Sequence, residues 1–171
     1  MKNIVLRYGL AAGVLISVLM FSAYALRNHI GAGHSMLLGY TIMVASFLLI
    51  YFGIRSYRDT VLGGSISFSR GFVCGLLVTL LTTIIYVLAW EVLYFKFMPH
   101  SMDGYFAAQV LKVQHANLAP ATAAAKIAAI QRSQQMYQNP LVNAAYTFME
   151  PMPVGILITF ISSLALRRKT S

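Results

Sequence analysis

The sequence predicts an all-α integral membrane protein, a four-helix bundle with an extramembrane helical hairpin between helices 3 and 4. Two observations carry that prediction. Of 171 residues, 58% are apolar and only 10% are charged, against roughly 25% charged residues in soluble domains. The apolar residues are also gathered into long runs, as a bilayer requires, because about 20 apolar residues of helix cross its hydrocarbon core.

There are four such runs. Ile4–Leu26 has 23 residues with Arg7 as its one charge, and Leu37–Ile54 has 18 with none. Gly71–Phe95 has 25 with Glu91, and Leu141–Leu166 has 26 with Glu150. In lipid the backbone must satisfy its own hydrogen bonds, so continuous apolar runs of this length are helices. A β-barrel would need shorter, alternating segments. The spans are therefore 4–26, 37–54, 71–95 and 141–166, in one transmembrane domain over 1–171. The basic start at Lys2 and Arg7, with Ala23-Tyr24-Ala25 behind the apolar stretch, also resembles a cleavable signal. The run is longer than the usual 7–15 residues of such a segment, so it is read as a span.

The segment 96–140 is expected to be helical and on the outer side. Phe106, Val110 and Val113 recur at helical spacing, as do Ile127, Ile130 and Tyr137. Ala119-Pro120 breaks the pattern, with Pro120 suited to the first turn of a new helix. Asn139-Pro140 closes it.

The net charge of +9 sits at the ends of apolar runs and orients the chain. With the N-terminus inside, the cytoplasmic side holds Lys2, Arg7, Arg55, Arg58, Arg70, Arg167, Arg168 and Lys169 in short segments. The outer side holds Arg27, Lys96, Lys112, Lys126 and Arg132, four of them spread over a 45-residue loop. Basic residues concentrate on the cytoplasmic side, so both termini are expected there, in a bacterial inner membrane. Trp90, Tyr94, Tyr24 and Tyr146 then fall near the outer interface, where aromatic belts form. No basic stripe with interleaved aromatics points to nucleic acid. The expected partners are the bilayer and a second copy or another membrane protein.

Chemistry-bearing residues are few. Glu91 and Glu150 are ionisable groups inside spans, which are expensive there and mark functional sites by default. At similar depth on neighbouring antiparallel helices they could share a proton, relay one or hold a cation. The plain alternative is an interfacial carboxylate, solvated or paired with Lys96 or Arg132. Glu150 also precedes Pro151, where an acid suits a helix N-terminus. Arg55, Arg58 and Arg70 are candidate contacts for anionic lipid head groups, flanking a turn at Gly63-Gly64. His29, His34, His100 and His115 lack the spacing of a helical zinc site, and no metal or cofactor is expected. Cys74, between Gly71 and Gly75, reads as a small packing residue. Gly9 with Gly13, and Gly71 with Gly75, have the small-x-x-x-small spacing of closely approaching helices. Ser162 and Ser163 read as packing hydroxyls. G-x-S-x-G, H-E-x-x-H and paired intramembrane aspartates are absent, so no catalytic residue is named and the chain is read as non-enzymatic. No repeat suggests an inverted-repeat transporter.

Several short motifs together resemble the bacterial membrane proteins grouped as domain of unknown function 4199. They are Tyr8-Gly9 with Gly13, Phe52-Gly53-Ile54-Arg55-Ser56-Tyr57-Arg58-Asp59 and Gly63-Gly64-Ser65-Ile66-Ser67-Phe68. Tyr86 with Trp90-Glu91, Tyr137-Gln138-Asn139-Pro140-Leu141, and Pro153-Val154-Gly155 followed by Arg167-Arg168-Lys169 complete the set. The resemblance spans nearly the whole chain. It implies a multi-span helical membrane protein and carries over no activity, ligand or catalytic residue. The outer loop departs from the family's acidic pattern, since Asp103 is its one acid between Lys96 and Pro140. The function expected is interaction or assembly within the membrane; the alternative is a small transport or ion-translocating component using Glu91 and Glu150.

Overall fold

The computed structural model describes residues 1–26 and 35–168. Arg27, His29, His34 and Lys169 lie outside them. Among the described residues the chain is helical, with no named strand and one isolated antiparallel bridge, Ile66 with Arg168. The helices are α1 (Lys2–Ala25), α2 (Ser35–Thr60), α3 (Phe68–Val92), α4 (Asp103–His115), α5 (Pro120–Tyr137), α6 (Pro140–Met149) and α7 (Pro151–Leu166). A π-helical turn, Leu93–Phe97, follows α3 directly.

Four stretches are long and apolar enough to cross a membrane: Lys2–Ala25, Leu37–Thr60, Phe68–Phe97 and Pro140–Leu166. They coincide with the four apolar runs to within a few residues, the second continuing six residues further to Thr60. The second helix continues through Arg55–Thr60, polar residues that end the apolar run without ending the helix. The fourth stretch is two helices, α6 and α7, divided at Glu150. Pro151 lacks the N–H that a continuous helix would use and its ring crowds the preceding turn. Asn139 caps α6, its Oδ1 accepting from the Leu141 amide at 3.0 Å, and Pro140 takes the first helical position, where its missing N–H costs nothing. Gly63 and Gly64, at φ 68° and 93°, make the turn between α2 and α3. Those left-handed conformations are open to glycine and strained for other residues.

The chain divides into two compact units, one of residues 1–89 and 148–171, the other of residues 90–147. The first contains α1, α2, most of α3, and α7. Its interior is made of small and hydroxyl residues. In α1 the buried set is Gly9, Ala12, Gly13 and Ile16, one helical face. In α3 it is Gly71, Cys74, Gly75, Val78, Thr79, Thr82, Thr83 and Tyr86. In α7 it includes Gly155, Thr159, Ser162 and Ser163. Larger apolar side chains on α2, namely Met43, Phe47, Ile50 and Ile54, fill the remaining space. The bulky apolar residues of the outer faces are exposed, among them Val14, Val18, Leu48, Ile84, Leu88, Leu157 and Ile161. Water-soluble monomers rarely expose large apolar residues in such number together. Small residues inside and large aliphatics outside is the arrangement of helices packed in lipid.

The close approaches are specific. A Cβ on Gly13 would stand 2.5 Å from Ile85 Cδ1 and 2.8 Å from its Cβ, and one on Gly9 would stand 2.7 Å from Leu81 Cδ2. One on Gly75 would meet Ile54 Cδ1 and Thr159 Cγ2, both at 2.8 Å. Hydroxyls add polar contacts across the same seams. Thr82 Oγ1 donates to the Gly9 carbonyl at 3.3 Å. Thr79 Oγ1 donates to the Gly75 carbonyl at 3.0 Å, which leaves it to accept from Thr159 Oγ1 at 3.1 Å.

The second unit contains α4 and α5, packed against each other. Phe106 is buried in α4, with Val110 and Val113 half-buried on the same side. Ala123, Ile127, Ile130, Gln134 and Tyr137 form the half-buried stripe of α5. Gln134 Nε2 donates to Asp103 Oδ1 at 3.1 Å, and Phe106 meets Tyr137 edge-on at 6.3 Å between centroids.

Glycine at a contact and glycine in open space should respond oppositely to one added methyl. Gly13→Ala should destabilise the purified protein by about 1–3 kcal/mol through overpacking against Ile85. Gly39→Ala, in α2 with nothing within 4 Å of the new Cβ, should be neutral or stabilising by up to about 1 kcal/mol. Unfolding in mild detergent, followed by helix content, measures both; equal effects would contradict the packing described.

Candidate functional site

The site residues divide between the two units. Glu91 belongs to the unit of residues 90–147, beside a buried polar cluster centred on Asn143. That side chain is fully buried and uses three of its hydrogen-bonding positions. Trp90 Nε1 donates to Asn143 Oδ1 at 3.1 Å, Thr147 Oγ1 donates to the same oxygen at 3.2 Å, and Asn143 Nδ2 donates to the Tyr137 carbonyl at 3.2 Å. Asn143 thus ties the end of α3 to the end of α5 and to its own helix, α6. Tyr94, also fully buried, stacks on Trp90 at 6.1 Å and meets Tyr137 edge-on at 5.5 Å. Its hydroxyl accepts from Gln138 Nε2 at 3.1 Å. Tyr94 is therefore packed inside its unit, while Tyr146 is exposed.

Glu91 takes no part in this network. It is half-buried, and its Oε1 is buried without a hydrogen-bond partner among the described residues. Lys96 and Arg132, in the same unit, form no ion pair with it. A buried carboxylate oxygen left unsatisfied is costly, which marks the position. Next to it the α-helix widens into the π-helical turn at Leu93–Phe97, a local distortion frequent at functional positions.

Glu150 belongs to the other unit. It occupies the N-cap position of α7, in helical geometry, without a side-chain capping bond. The carboxylate turns instead to α3, where Tyr86 Oη donates to its Oε2 at 3.3 Å. One turn earlier on α3, Thr83 Oγ1 lies 3.9 Å from Met152 Sδ. The proline-bounded break between α6 and α7 thus presents a carboxylate to a phenol on the neighbouring helix.

The three arginines do not act together. Arg58 is buried and its guanidinium forks onto Asp59, Nε to Oδ1 at 2.6 Å and Nη2 to Oδ2 at 3.1 Å. Its Nη1 reaches the Leu166 carbonyl at the end of α7, at 3.5 Å. Arg55 approaches Asp59 from one turn away, Nε to Oδ2 3.7 Å. Two arginines therefore converge on one aspartate, and Arg58 alone joins the end of α2 to the end of α7. Arg70 lies elsewhere, in an open groove of about 640 Å³ lined by Ser65, Ser67, Ser69 and Arg70 on one side and Arg167 and Arg168 on the other. His100 meets Asp103, Nδ1 to Oδ2 3.0 Å. Among the described residues no three of His, Cys, Asp and Glu gather as a metal site would need.

The four apolar helices, the Gly63-Gly64 turn and the Asn139-Pro140 cap stand where the quoted motifs stand, and the family comparison agrees with them. The family model described as "Protein of unknown function (DUF4199)" matches residues 7–168, nearly the whole chain. The chain belongs to that family. No curated protein and no solved structure matches it. Four apolar helices suggest a membrane protein, and membership in the family assigns no chemistry to Glu91, Glu150 or the arginines.

Asn143, Thr79 and Thr159 escape a sequence reading, because polar residues within an apolar run carry no signal of where they point. In this DUF4199 protein Asn143→Leu should lower stability by about 2–3 kcal/mol, since it strands the Trp90 and Thr147 donors and the Tyr137 carbonyl in a buried place. Asn143→Gln, which keeps the chemistry with one more methylene, should cost less. Thermal unfolding in detergent, read by tryptophan fluorescence from Trp90, measures both, and an unshifted midpoint for the leucine variant would show the cluster to be idle.

Proposed function

We propose that this DUF4199 protein is a non-enzymatic component of the bacterial inner membrane, with both termini in the cytoplasm, that works by contact with a second copy or another membrane protein through an outer helical hairpin, α4 and α5. The carrying observation is α5. It is 18 residues long and none of them is fully buried. One stripe leans on α4, and the remainder of the helix is open. Ala121, Ala124, Ala125, Ala128 and Ala129 are all exposed, giving a low, smooth face on which another helix could approach closely.

The orientation rests on basic-residue density. Arg55, Arg58, Arg70, Arg167 and Arg168 cluster at helix ends joined by the Ile66–Arg168 bridge and by Arg58 on Leu166. A cytoplasmic position for that end follows the positive-inside rule. A second reading, a transport or ion-translocating component, draws on one observation: the partnerless buried Oε1 of Glu91 within a candidate span.

Mass measurement of protein extracted from native membranes in mild detergent tests the contact function. The expected result is a dimer or a co-purifying membrane protein, lost on Ala125→Trp; a strict monomer with nothing bound overturns it. In a Cys74→Ala background, a membrane-impermeant thiol probe on intact cells should label a cysteine at Gln114 and spare one at Thr60. The reverse pattern overturns the orientation. Proton or sodium flux in liposomes that is abolished by Glu91→Gln would instead favour the transport reading.

A further inference from the structure

The groove at the α2–α3 turn and the end of α7 has the chemistry of an anion site. Its two walls come from segments far apart in sequence, Ser65–Arg70 and Arg167-Arg168. They are fixed side by side by the antiparallel bridge, the Ile66 amide donating to the Arg168 carbonyl at 3.1 Å and the Arg168 amide to the Ile66 carbonyl at 3.0 Å. Ile66 is buried beneath it, so the floor is anchored in the apolar interior. Arg58 adds a second tie, through the Leu166 carbonyl.

The lining is one-signed. Arg70, Arg167 and Arg168 are exposed, and among the described residues none of them forms an ion pair. The field of Arg168 reaches Asp59, but that carboxylate is already held by Arg58 and Arg55. Donors complement the charge. Ser65 and Ser69 supply hydroxyls. Ser67 sits just before α3, and its Oγ accepts from the Arg70 amide at 3.4 Å. The amides of Phe68 and Ser69, in the first turn of α3, have no helical acceptor and add the positive end of the helix dipole. At about 640 Å³ the groove is within the size range of small-ligand pockets. It lies at the start of Phe68–Phe97 and the end of Pro140–Leu166, the ends of two candidate spans, and the ends of a membrane span fall at the head-group region.

We infer that Arg70, Arg167 and Arg168, with Ser65 and Ser69, bind a phosphate-bearing anion, and that its source is the head group of an anionic phospholipid. The assignment depends on the chain being a membrane protein and not on its orientation or on the contacts proposed for α5. Arginine suits it because a planar guanidinium engages phosphate oxygens in pairs.

The test uses the full-length protein in neutral detergent and native mass spectrometry, with phosphatidylglycerol and phosphatidylcholine as probes and inorganic phosphate as a third arm. The wild type is expected to retain phosphatidylglycerol over phosphatidylcholine. The variant R70Q/R167Q/R168Q should lose that affinity by at least about tenfold, since it removes every guanidinium lining the groove. A charge-matched control, K112Q/K126Q/R132Q, should retain it. S65A/S69A, which changes no charge and leaves the Ser67 cap in place, should weaken it about threefold, a loss expected of hydroxyl contacts and not of diffuse charge. Retention by the arginine variant equal to that of the control overturns the proposal, as does an absence of preference in the wild type. If millimolar phosphate alone displaces the lipid, the site is a soluble-phosphate site and the lipid assignment is overturned. Should the triple arginine variant fail to fold, S65A/S69A alone decides, with unchanged retention counting against the site.

Discussion

Helices in lipid gain nothing from hiding apolar surface, because the solvent is as apolar as they are. They associate through close contact and through polar groups that find one another, and the first unit of this protein is built on that constraint. Gly9 and Gly13 let α1 lie against Leu81 and Ile85 of α3, and Gly75 admits Ile54 and Thr159. The threonines between them, Thr79, Thr82 and Thr159, convert the short distances into hydrogen bonds. Without glycine at those positions the backbones would separate, and the hydroxyls would lose their partners at the same time.

The polar ends of the helices inherit their geometry from this packing. Because α3 and α7 run close together along the Gly75, Thr79, Gly155 and Thr159 contacts, the segment entering α3 and the segment leaving α7 emerge adjacent. The Ile66–Arg168 bridge forms there, and three arginines are left around one groove. At the other end of α7, the break at Pro151 frees Glu150 to meet Tyr86. The unit of α4 and α5 follows different rules. It relies on alternating apolar stripes, Phe106 against Tyr137, and on the Asn143 cluster for its polar closure.

The spans were legible in the sequence because uninterrupted apolar length is a strong signal with one physical cause. The stripes at Phe106, Val110 and Val113, and at Ile127, Ile130 and Tyr137, were legible for a similar reason, since periodicity records which side of a helix is covered. Gly63-Gly64 and Asn139-Pro140 were readable because their local geometry admits few alternatives. The use made of each arginine was not. Arg55, Arg58 and Arg70 are near one another in sequence and look equivalent, yet the first two are joined to Asp59 and the third belongs with Arg167 and Arg168. That grouping depends on which helix ends meet, a long-range fact with no local signature. A shared role for Glu91 and Glu150 requires matched depth on neighbouring antiparallel helices, again a long-range condition that no local pattern records.

Gly155 offers the most direct test of the central claim, that small residues are required where neighbouring helices approach closely. A Cβ there would collide with Thr79 Cγ2. Thr79→Ser removes that methyl and keeps the hydroxyl with its bonds to Gly75 and Thr159. A double-mutant cycle of Gly155→Ala and Thr79→Ser, with reversible unfolding measured in bicelles, isolates the contact. The account predicts that Gly155→Ala is markedly destabilising alone and is partly rescued by Thr79→Ser, with a coupling of about 1 kcal/mol or more. Strictly additive effects would contradict it, because they would mean that the two helices do not meet at this point.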